Sequence, residues 1–187
     1  PVRRIGRYAL LSRLGSGHLG DVFHAHEGEE PEGAERLAVK VFRPDLVEDL
    51  RFSRALIAGA PVATEFEHPN AVRVFQIDRD GSEAYLAMPL LEGQPLSLLV
   101  QRARVDGQRI HHPLIAWIGA QIASVLHAAH QHPWFAGAQA MLVHGALSPR
   151  SVFLTYDGEG KLLGLAIGRA RHVVDLTLAR LPYAAPE

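Results

Sequence analysis

The sequence predicts an α+β fold, with a strand-rich first part followed by a mainly helical second part. Short apolar runs of strand length recur between residues 8 and 88, and apolar residues at helical spacing dominate residues 96–130. A connector at Pro89–Pro95 separates the two regions. With 187 residues and 48% hydrophobic content, the chain can bury one sizeable core or two small lobes that share an interface.

Three predicted strands open the first part and form an antiparallel meander. They cover Tyr8–Leu14, Asp21–His26 and Leu37–Phe42. A glycine-rich break at Gly15–Gly20 separates the first strand from the second, and a polar loop at Glu27–Glu35 separates the second from the third. The glycines are therefore expected in a turn between two strands.

A helix and two further strands complete the first part. Helical spacing of apolar residues predicts the helix over Leu46–Ala58, and Gly59-Ala60-Pro61 is expected to end or kink it. The strands are predicted at Ala71–Ile77 and Glu83–Met88, joined by a turn at Asp80-Gly81.

Two predicted helices, Leu96–Arg104 and Pro113–His130, begin the second part. The longer helix carries an apolar stripe along one face. A hairpin is predicted next, because the Asp157-Gly158 pair lies between two apolar runs and favours a tight turn.

Charge and composition exclude several classes of partner and site. A formal net charge of -1 and a pI near 7.0 give no field that attracts nucleic acid or an anionic membrane, so neither partner is predicted.

The absence of cysteine excludes disulfides and thiolate metal sites and fits a reducing, cytoplasmic location. No apolar run approaches the ~20 residues that cross a bilayer. The chain begins with Pro-Val-Arg-Arg and shows no secretory pattern. Because it lacks an initiator Met, it is expected to be a piece of a longer protein.

Two motifs carry the functional argument. Residues Gly15–Val22 follow the pattern G-x-G-x-x-G-x-V. A Rossmann turn has the same glycine spacing but places it between a strand and a helix, whereas these glycines lie between two predicted strands. The second motif is Lys40, a single lysine in an apolar strand, which faces either solvent at a sheet edge or a cleft that binds phosphate. The glycines alone would also fit a plain hairpin; the two motifs together favour the cleft.

With three further motifs, the chain resembles the protein kinase family, in particular the bacterial serine/threonine kinases of eukaryotic type. Residues His68–Val72 are similar to the family's H-P-N-I-V, and Tyr85–Met88 is similar to the strand that ends in the gatekeeper. Residues Tyr183–Glu187 are similar to Y-M-A-P-E. The resemblance covers nearly the whole chain.

The resemblance implies a two-lobed protein kinase-like fold. Residues 1–88 would form a β-rich N-lobe with one helix, residues 89–93 the hinge, and residues 94–187 a truncated, mainly helical C-lobe that ends at the A-P-E motif. Kinases continue through several more helices after this motif. Either the chain is a fragment, or another chain or domain covers the apolar surface that those helices would bury.

The family's catalytic residues are missing from the matching positions. Residues His144–Ser151 align without a gap with H-R-D-x-K-P-x-N, which places Ala146 at the catalytic Asp and Ser151 at the metal-binding Asn. The D-F-G motif falls on Gly164-Leu165-Ala166, so Gly164 replaces the principal metal-binding Asp. Alanine accepts no proton, and magnesium requires oxygen ligands. We therefore predict no catalytic residue and no metal site.

Two supporting charges of the family are also replaced. The Arg of H-R-D is Gly145. The helical glutamate that would pair with Lys40 falls on Ala55 or Gly59, depending on the direction of counting. Two acids elsewhere in this region are candidate substitutes, Glu48 and Glu65.

The resemblance implies that the chain keeps the residues with which the family binds nucleotide, called the nucleotide cradle here. Glycine N–H groups would approach phosphate, a lysine would supply charge, apolar residues would line an adenine pocket, and hinge backbone would meet the polar edge of the base. The cradle residues are Gly15, Gly17, Gly20, Val22, Ala38, Lys40, Met88, Pro89, Leu91 and Phe153. The ring of Phe153 replaces a leucine and would narrow or fill the site. Either ATP binds here without metal, or the glycines and the lysine are inherited scaffold.

The histidines are interpreted as structural or solvated residues. His127 and His130 lie one helical turn apart, but a zinc site needs further ligands and supporting partners. By analogy with its kinase counterpart, His144 is expected in the core.

The sequence as a whole predicts a kinase-like domain that has lost catalysis, a pseudokinase. It would act by binding a protein partner, for example an active kinase, as a scaffold or regulator. One alternative is an active atypical kinase or a nucleotide-transferring enzyme, which requires a carboxylate in the cleft. A second alternative is a nucleotide sensor, whose melting temperature would rise with ATP.

Overall fold

The computed structural model describes residues 2–28, 35–132, 142–168 and 170. Its strands are β1 (Arg3–Ile5), β2 (Tyr8–Gly17), β3 (Gly20–Glu27), β4 (Leu37–Phe42), β5 (Gln76–Asp80), β6 (Glu83–Pro89), β7 (Gly93–Pro95), β8 (Val152–Thr155) and β9 (Gly160–Leu162). Its helices are α1 (Pro44–Glu48), α2 (Leu50–Glu65), α3 (Leu96–Val105) and α4 (His112–Gln131), with a 3₁₀ turn at Leu165–Ile167. The motif at Tyr183–Glu187 lies outside the described residues.

The N-lobe is built on a six-stranded antiparallel sheet in the order β1-β2-β3-β4-β6-β5, which confirms the predicted meander. Strand β1 was not predicted, because three residues are too few to show a period. It turns into β2 at Gly6, whose φ of 52° is in the left-handed region. The Gly6 N–H donates to Asp80 at 2.8 Å, and Arg3 forms an ion pair with Glu83. The first strand therefore closes the sheet against the hairpin of β5 and β6.

The predicted helix over Leu46–Ala58 is in fact two helices, separated at Asp49. The backbone of Asp49 is extended, with φ -67° and ψ 109°, and its carboxylate accepts hydrogen bonds from the N–H groups of Arg51 and Phe52. A carboxylate in this position caps the next helix by satisfying its free N–H groups. The cap starts α2 where apolar spacing alone predicted continuity.

The proline expected to end or kink this helix does not end it, because α2 continues through Pro61 to Glu65. A proline inside a helix removes one hydrogen bond and costs about 3 kcal/mol. Leu56 and Val62, on either side of it, are 1% and 2% exposed, so burial of the apolar face offsets that cost. The Thr64 hydroxyl also donates to a carbonyl oxygen one turn earlier.

The strand predicted over Ala71–Ile77 begins only at Gln76. Residues before it pair with the C-lobe instead: Ala71 forms a parallel bridge with Leu162, and the Val72 N–H donates to the Leu162 carbonyl oxygen at 3.1 Å. This segment therefore joins the two lobes.

The C-lobe contains α3, α4 and a three-stranded sheet in the order β7-β8-β9. Helices α3 and α4 begin and end within one residue of their predicted bounds. The predicted hairpin forms from β8 and β9, and β7 arises within the predicted connector, pairing with β8. Among the described residues, no helix has the length and apolar character needed to span a bilayer.

One apolar core lies in the N-lobe and another mainly in the C-lobe, where Val62 and Phe66 also contribute, and the 3₁₀ turn belongs to both. Phe52 and Leu86 belong to the N-lobe core, and Ile122 of α4 belongs to the C-lobe core. Leu165 packs into the C-lobe core, whereas Ile167 packs into the N-lobe core. The turn therefore fixes the two lobes together immediately after Gly164, one of the positions that lacks a catalytic carboxylate.

Candidate functional site

The predicted glycine-rich break is a tight hairpin rather than an open loop. Strand β2 runs on to Gly17, where it pairs with Gly20 at the start of β3, so that only His18 and Leu19 form the turn. Farther from the tip, Gly15 pairs with Val22. The three glycines therefore lie in strands on either side of a two-residue turn.

The fold requires one of these glycines and leaves the other two unexplained. Gly20 has φ 149°, and a Cβ there would overlap the carbonyl oxygen of Val41. Among the described residues, a Cβ on Gly15 would meet nothing within 4 Å, and one on Gly17 would meet only the Gly20 carbonyl oxygen, at 3.7 Å. Packing of this part of the chain therefore leaves open space beside Gly15 and Gly17, where a ligand could approach.

Leu19, which the sequence argument did not single out, is buried at the tip of the hairpin. It is 3% exposed and packs in the N-lobe core with Phe42 and Leu46. Its carbonyl oxygen accepts a hydrogen bond from the N–H of Arg43 at 3.0 Å. A leucine between two glycines in an otherwise polar turn is the sequence signal that could have identified it.

Four predicted cradle residues share one face of the N-lobe sheet. Val22 lies opposite Lys40, and Ala38 lies opposite Met88. Ala38 and Lys40 are two residues apart on β4, and side chains two apart on a strand point to the same side. Directly paired residues also share a face. The structure therefore brings these four side chains together, as the cradle requires.

The hinge residues lie at the end of this sheet. Pro89 ends β6 opposite Leu37, and Leu91 follows in the partly buried link to β7. Phe153 pairs with Pro95 across β7 and β8, and its ring lies 2.8 Å from where a Cβ on Gly93 would be. The aromatic ring therefore packs on the strand that leaves the hinge.

Residues His144–Ser151 align with the family's H-R-D-x-K-P-x-N and form the catalytic loop, which is organised around His144. This histidine is 2% exposed, which confirms the prediction of a core histidine. Its Nε2 lies 2.8 Å from the carbonyl oxygen of Leu163, and its Nδ1 accepts a hydrogen bond from the Ala146 N–H. Since a neutral imidazole carries one donor and one acceptor nitrogen, Nε2 holds the proton. This histidine fixes the backbone on which Ala146 sits.

Ser151 is tied into the loop itself. Its hydroxyl donates to the carbonyl oxygen of Ser148 at 2.8 Å and accepts from the Ser148 N–H at 3.0 Å. The residue is 7% exposed. The hydroxyl at the metal-binding Asn position is therefore committed to internal hydrogen bonds.

The D-F-G position is shaped for glycine. Gly164 has φ 79°, in the left-handed region that side chains with a Cβ disfavour. Gly168, four residues later, packs so closely on the catalytic loop that a Cβ there would overlap the carbonyl oxygen of Val143. The family often has alanine at this second position, which this close contact does not accommodate.

Carboxylates of the described residues lie elsewhere or face solvent. Most form an ion pair or a hydrogen bond outside the catalytic loop: Asp21, Glu27, Asp45, Asp49, Glu67, Asp78, Asp80, Glu83, Glu92, Asp106 and Glu159. The others are exposed, namely Glu35, Glu48, Glu65 and Asp157. The set includes both candidate substitutes for the helical glutamate.

Helix α2 supplies no buried acid toward the sheet. Its one carboxylate, Glu65, is the last residue of the helix, and Glu48 ends α1. The positions expected for the family's glutamate, Ala55 and Gly59, lie partly or fully buried within the helix.

Metal-binding clusters and cavities elsewhere among the described residues are two further kinds of candidate site. Within the described ranges, no group of three or more His, Cys, Asp or Glu residues could hold a metal ion. Two cavities of about 330 and 380 Å³ lie against the segment after α2, with Arg73 in both linings. Neither cavity is lined by a predicted cradle residue.

Comparison with protein families identifies the chain's relatives. Residues 8–181 match the family model described as protein tyrosine and serine/threonine kinase. The tyrosine-protein kinase MasK of Myxococcus xanthus is 28% identical over 191 residues, which is 97% of this chain and 29% of that protein. The serine/threonine-protein kinase PrkC of Bacillus subtilis is 26% identical over 97% of this chain and 26% of its own length. The chain thus spans less than a third of either relative.

Solved structures show the same fold. The kinase domain of Mycobacterium tuberculosis PknI superposes with a TM-score of 0.73 and 23% sequence identity. The match covers 87% of this chain and 59% of that domain. The two-lobed arrangement predicted from the motifs is therefore confirmed.

Proposed function

Because this chain belongs to the protein tyrosine and serine/threonine kinase family, we propose that it is a pseudokinase domain, which keeps the kinase fold but no longer transfers phosphate. It acts as a scaffold or regulator by binding a protein partner, and an active kinase is a candidate for that partner. The cytoplasmic location and the absence of nucleic-acid and membrane partners stay predictions.

The observation that carries the proposal is the chemistry of three positions. Ala146, Ser151 and Gly164 offer neither a base nor a carboxylate, and the one hydroxyl among them is engaged with Ser148. A positioned acid or base alone contributes about 10² to 10⁴ in rate, and magnesium needs oxygen ligands to hold the phosphates. The distribution of the described carboxylates supports the same conclusion, since their ion pairs and hydrogen bonds are made with residues other than these three.

A phosphotransfer assay tests the loss of catalysis. The purified protein is incubated with radioactive ATP, magnesium or manganese, and a generic protein acceptor, beside an active kinase at the same concentration. We expect the acceptor to carry no more label than in a blank reaction from which the protein is omitted. Label that disappears in the Lys40→Met variant would overturn the proposal, while label that persists in that variant comes from a contaminating kinase.

We further propose that the cradle binds ATP without a metal ion. The support is the shared face of Val22, Ala38, Lys40 and Met88, together with the open space beside Gly17. Backbone N–H groups and a lysine attract phosphate without a carboxylate-bound cation.

Calorimetric titration with ATP, in EDTA and then in magnesium, tests this binding. We expect similar affinity in both conditions. The Gly17→Ala variant should bind about tenfold more weakly, because its methyl occupies space that phosphate needs. Gly119→Ala, a change in α4 where a Cβ also meets nothing within 4 Å, is the matched control. Absence of heat with the unaltered protein would contradict nucleotide binding.

Exposed apolar side chains in the C-lobe support a binding role. Leu98 and Val105 on α3 are 45% and 80% exposed, and Leu114, Ile115 and Trp117 of α4 are also exposed. Exposed apolar side chains mark surfaces that another polypeptide covers where they form a continuous patch. Affinity capture of the full-length protein, followed by identification of direct contacts through cross-linking, tests whether a protein partner binds.

A further inference from the structure

The tip of the glycine hairpin is held against the N-lobe core by a buried side chain, whereas the strand that leads to it is exposed. Residues 11–18 are all exposed, whereas Leu19 is 3% exposed. Turn residues between strands ordinarily lie on the surface and are mobile. Burial of one large apolar side chain at the turn therefore holds the hairpin in a single position.

Two kinds of contact form the anchor. The Leu19 side chain belongs to the same buried cluster as Phe42, Leu46 and Val47, which lie at the end of β4 and in α1. The Leu19 carbonyl oxygen accepts the Arg43 N–H at 3.0 Å, immediately before α1. Backbone and side chain thus attach the turn to the same short helix.

The anchor belongs to a core that also includes residues of α2 and of the segment after Gly164. Phe52 and Leu56 of α2 lie in the same cluster, as do Ile167 and Ala170, which follow the D-F-G position. A change in the packing of any one segment alters the surface against which Leu19 packs, because protein cores transmit small volume changes.

We propose that Leu19 is a positioning residue for nucleotide: it fixes the glycine hairpin to α1 and thereby couples ATP binding to the packing of α1. The inference rests on the proposed ATP binding and adds the residue that regulates it. A fixed hairpin presents its backbone without a further loss of conformational entropy, whereas a free hairpin must be ordered by the ligand. Coupling is reciprocal, so bound ATP stabilises α1.

Hydrogen exchange without nucleotide tests the anchor by itself. The Leu19→Ala variant should exchange the amides of residues 16–22 faster than the unaltered protein. Leu56→Ala is the matched control, since it makes the same truncation in the same cluster on α2. Equal acceleration of the hairpin in both variants would mean that Leu19 contributes only general core stability and would overturn the anchor.

ATP titration tests the coupling. Leu19→Ala should bind ATP about tenfold more weakly than Leu56→Ala, and Leu19→Met, which refills the site, should recover most of the affinity. ATP should slow amide exchange in α1 of the unaltered protein and not in Leu19→Ala. Equal or tighter binding by Leu19→Ala would overturn the positioning role. If the unaltered protein binds no ATP, the nucleotide site and its coupling are both wrong, and the exchange experiment still decides whether Leu19 is an anchor.

Discussion

The hydroxyl of Ser151 and the backbone of Ser148 exchange two hydrogen bonds, with the hydroxyl donating at 2.8 Å and accepting at 3.0 Å. This pair closes the turn between the catalytic loop and β8. In kinases the same position binds metal, but here the hydroxyl supports the loop. The side chain that remains has a structural task that explains why it is polar and buried.

Replacing this hydroxyl should therefore destabilise the protein. In Ser151→Ala the partly buried Ser148 N–H loses its acceptor, which costs about 1 kcal/mol, while the Ser148 carbonyl oxygen keeps its hydrogen bond from the Ser151 N–H at 2.9 Å. We expect a lower urea midpoint with an unchanged slope. Ser82→Ala, at an exposed turn, is the control and should leave the midpoint unchanged. An unaltered midpoint for Ser151→Ala would show that water replaces the lost bonds.

The close packing of Gly168 on the catalytic loop gives a second prediction. Gly168→Ala places a methyl group on the carbonyl oxygen of Val143, so the two segments must separate. Overpacking of this kind costs about 1–3 kcal/mol. Gly15→Ala, where a methyl meets nothing within 4 Å, should leave the melting temperature almost unchanged. Equal melting temperatures for the two variants would contradict the packing seen at Gly168.

Restoring the family's three catalytic residues should not restore catalysis. The combined Ala146→Asp, Ser151→Asn and Gly164→Asp variant removes the hydroxyl that ties the loop to Ser148. Helix α2 also supplies no buried glutamate. We expect phosphotransfer at the level of the blank, measured beside circular dichroism to establish folding. Turnover by the folded triple variant would mean that these three groups are all that the cleft lacks.

The fold could be read from the sequence where packing follows a simple period. Strand β4 has its predicted bounds, because its five apolar residues, interrupted only by Lys40, are buried on both faces of the sheet. The errors arose where particular contacts outweighed the apolar period. The carboxylate of Asp49 divides the predicted helix in two, and burial around Pro61 lets α2 continue past the proline. Both outcomes depend on contacts that apolar spacing does not encode.

The site was predictable to a similar extent. The glycine and lysine motifs identified residues that the sheet register does bring onto one face, including Val22 and Lys40. Which of the glycines the fold requires was not predictable. Only the three-dimensional path of the backbone shows that packing requires a glycine at position 20 and not at Gly15. Leu19 was missed because periodic patterns say nothing about a side chain at a turn.

The cap of α2 predicts a dependence of stability on pH. The hydrogen bond from the Arg51 side chain, followed by those from backbone N–H groups, lowers the pKa of Asp49 below its ordinary value of 3.8. A carboxyl group whose pKa is lower in the folded state binds fewer protons there than in the unfolded state. Its contribution is therefore complete above pH 3.8 and is lost as the pH falls through the lowered pKa of the folded protein.

Thermal unfolding between pH 2 and 6 checks this expectation against Asp49→Asn. Asparagine caps a helix about as well as aspartate but does not titrate in this range. We expect the variant to lose less melting temperature than the unaltered protein as the pH falls below about 4, the ordinary range of an aspartate pKa. Arg51→Met, which removes the main cause of the lowered pKa, should narrow the difference between aspartate and asparagine. If the melting temperatures of all three proteins change with pH in parallel, the charged form of this carboxylate stabilises α2 no more than the neutral form.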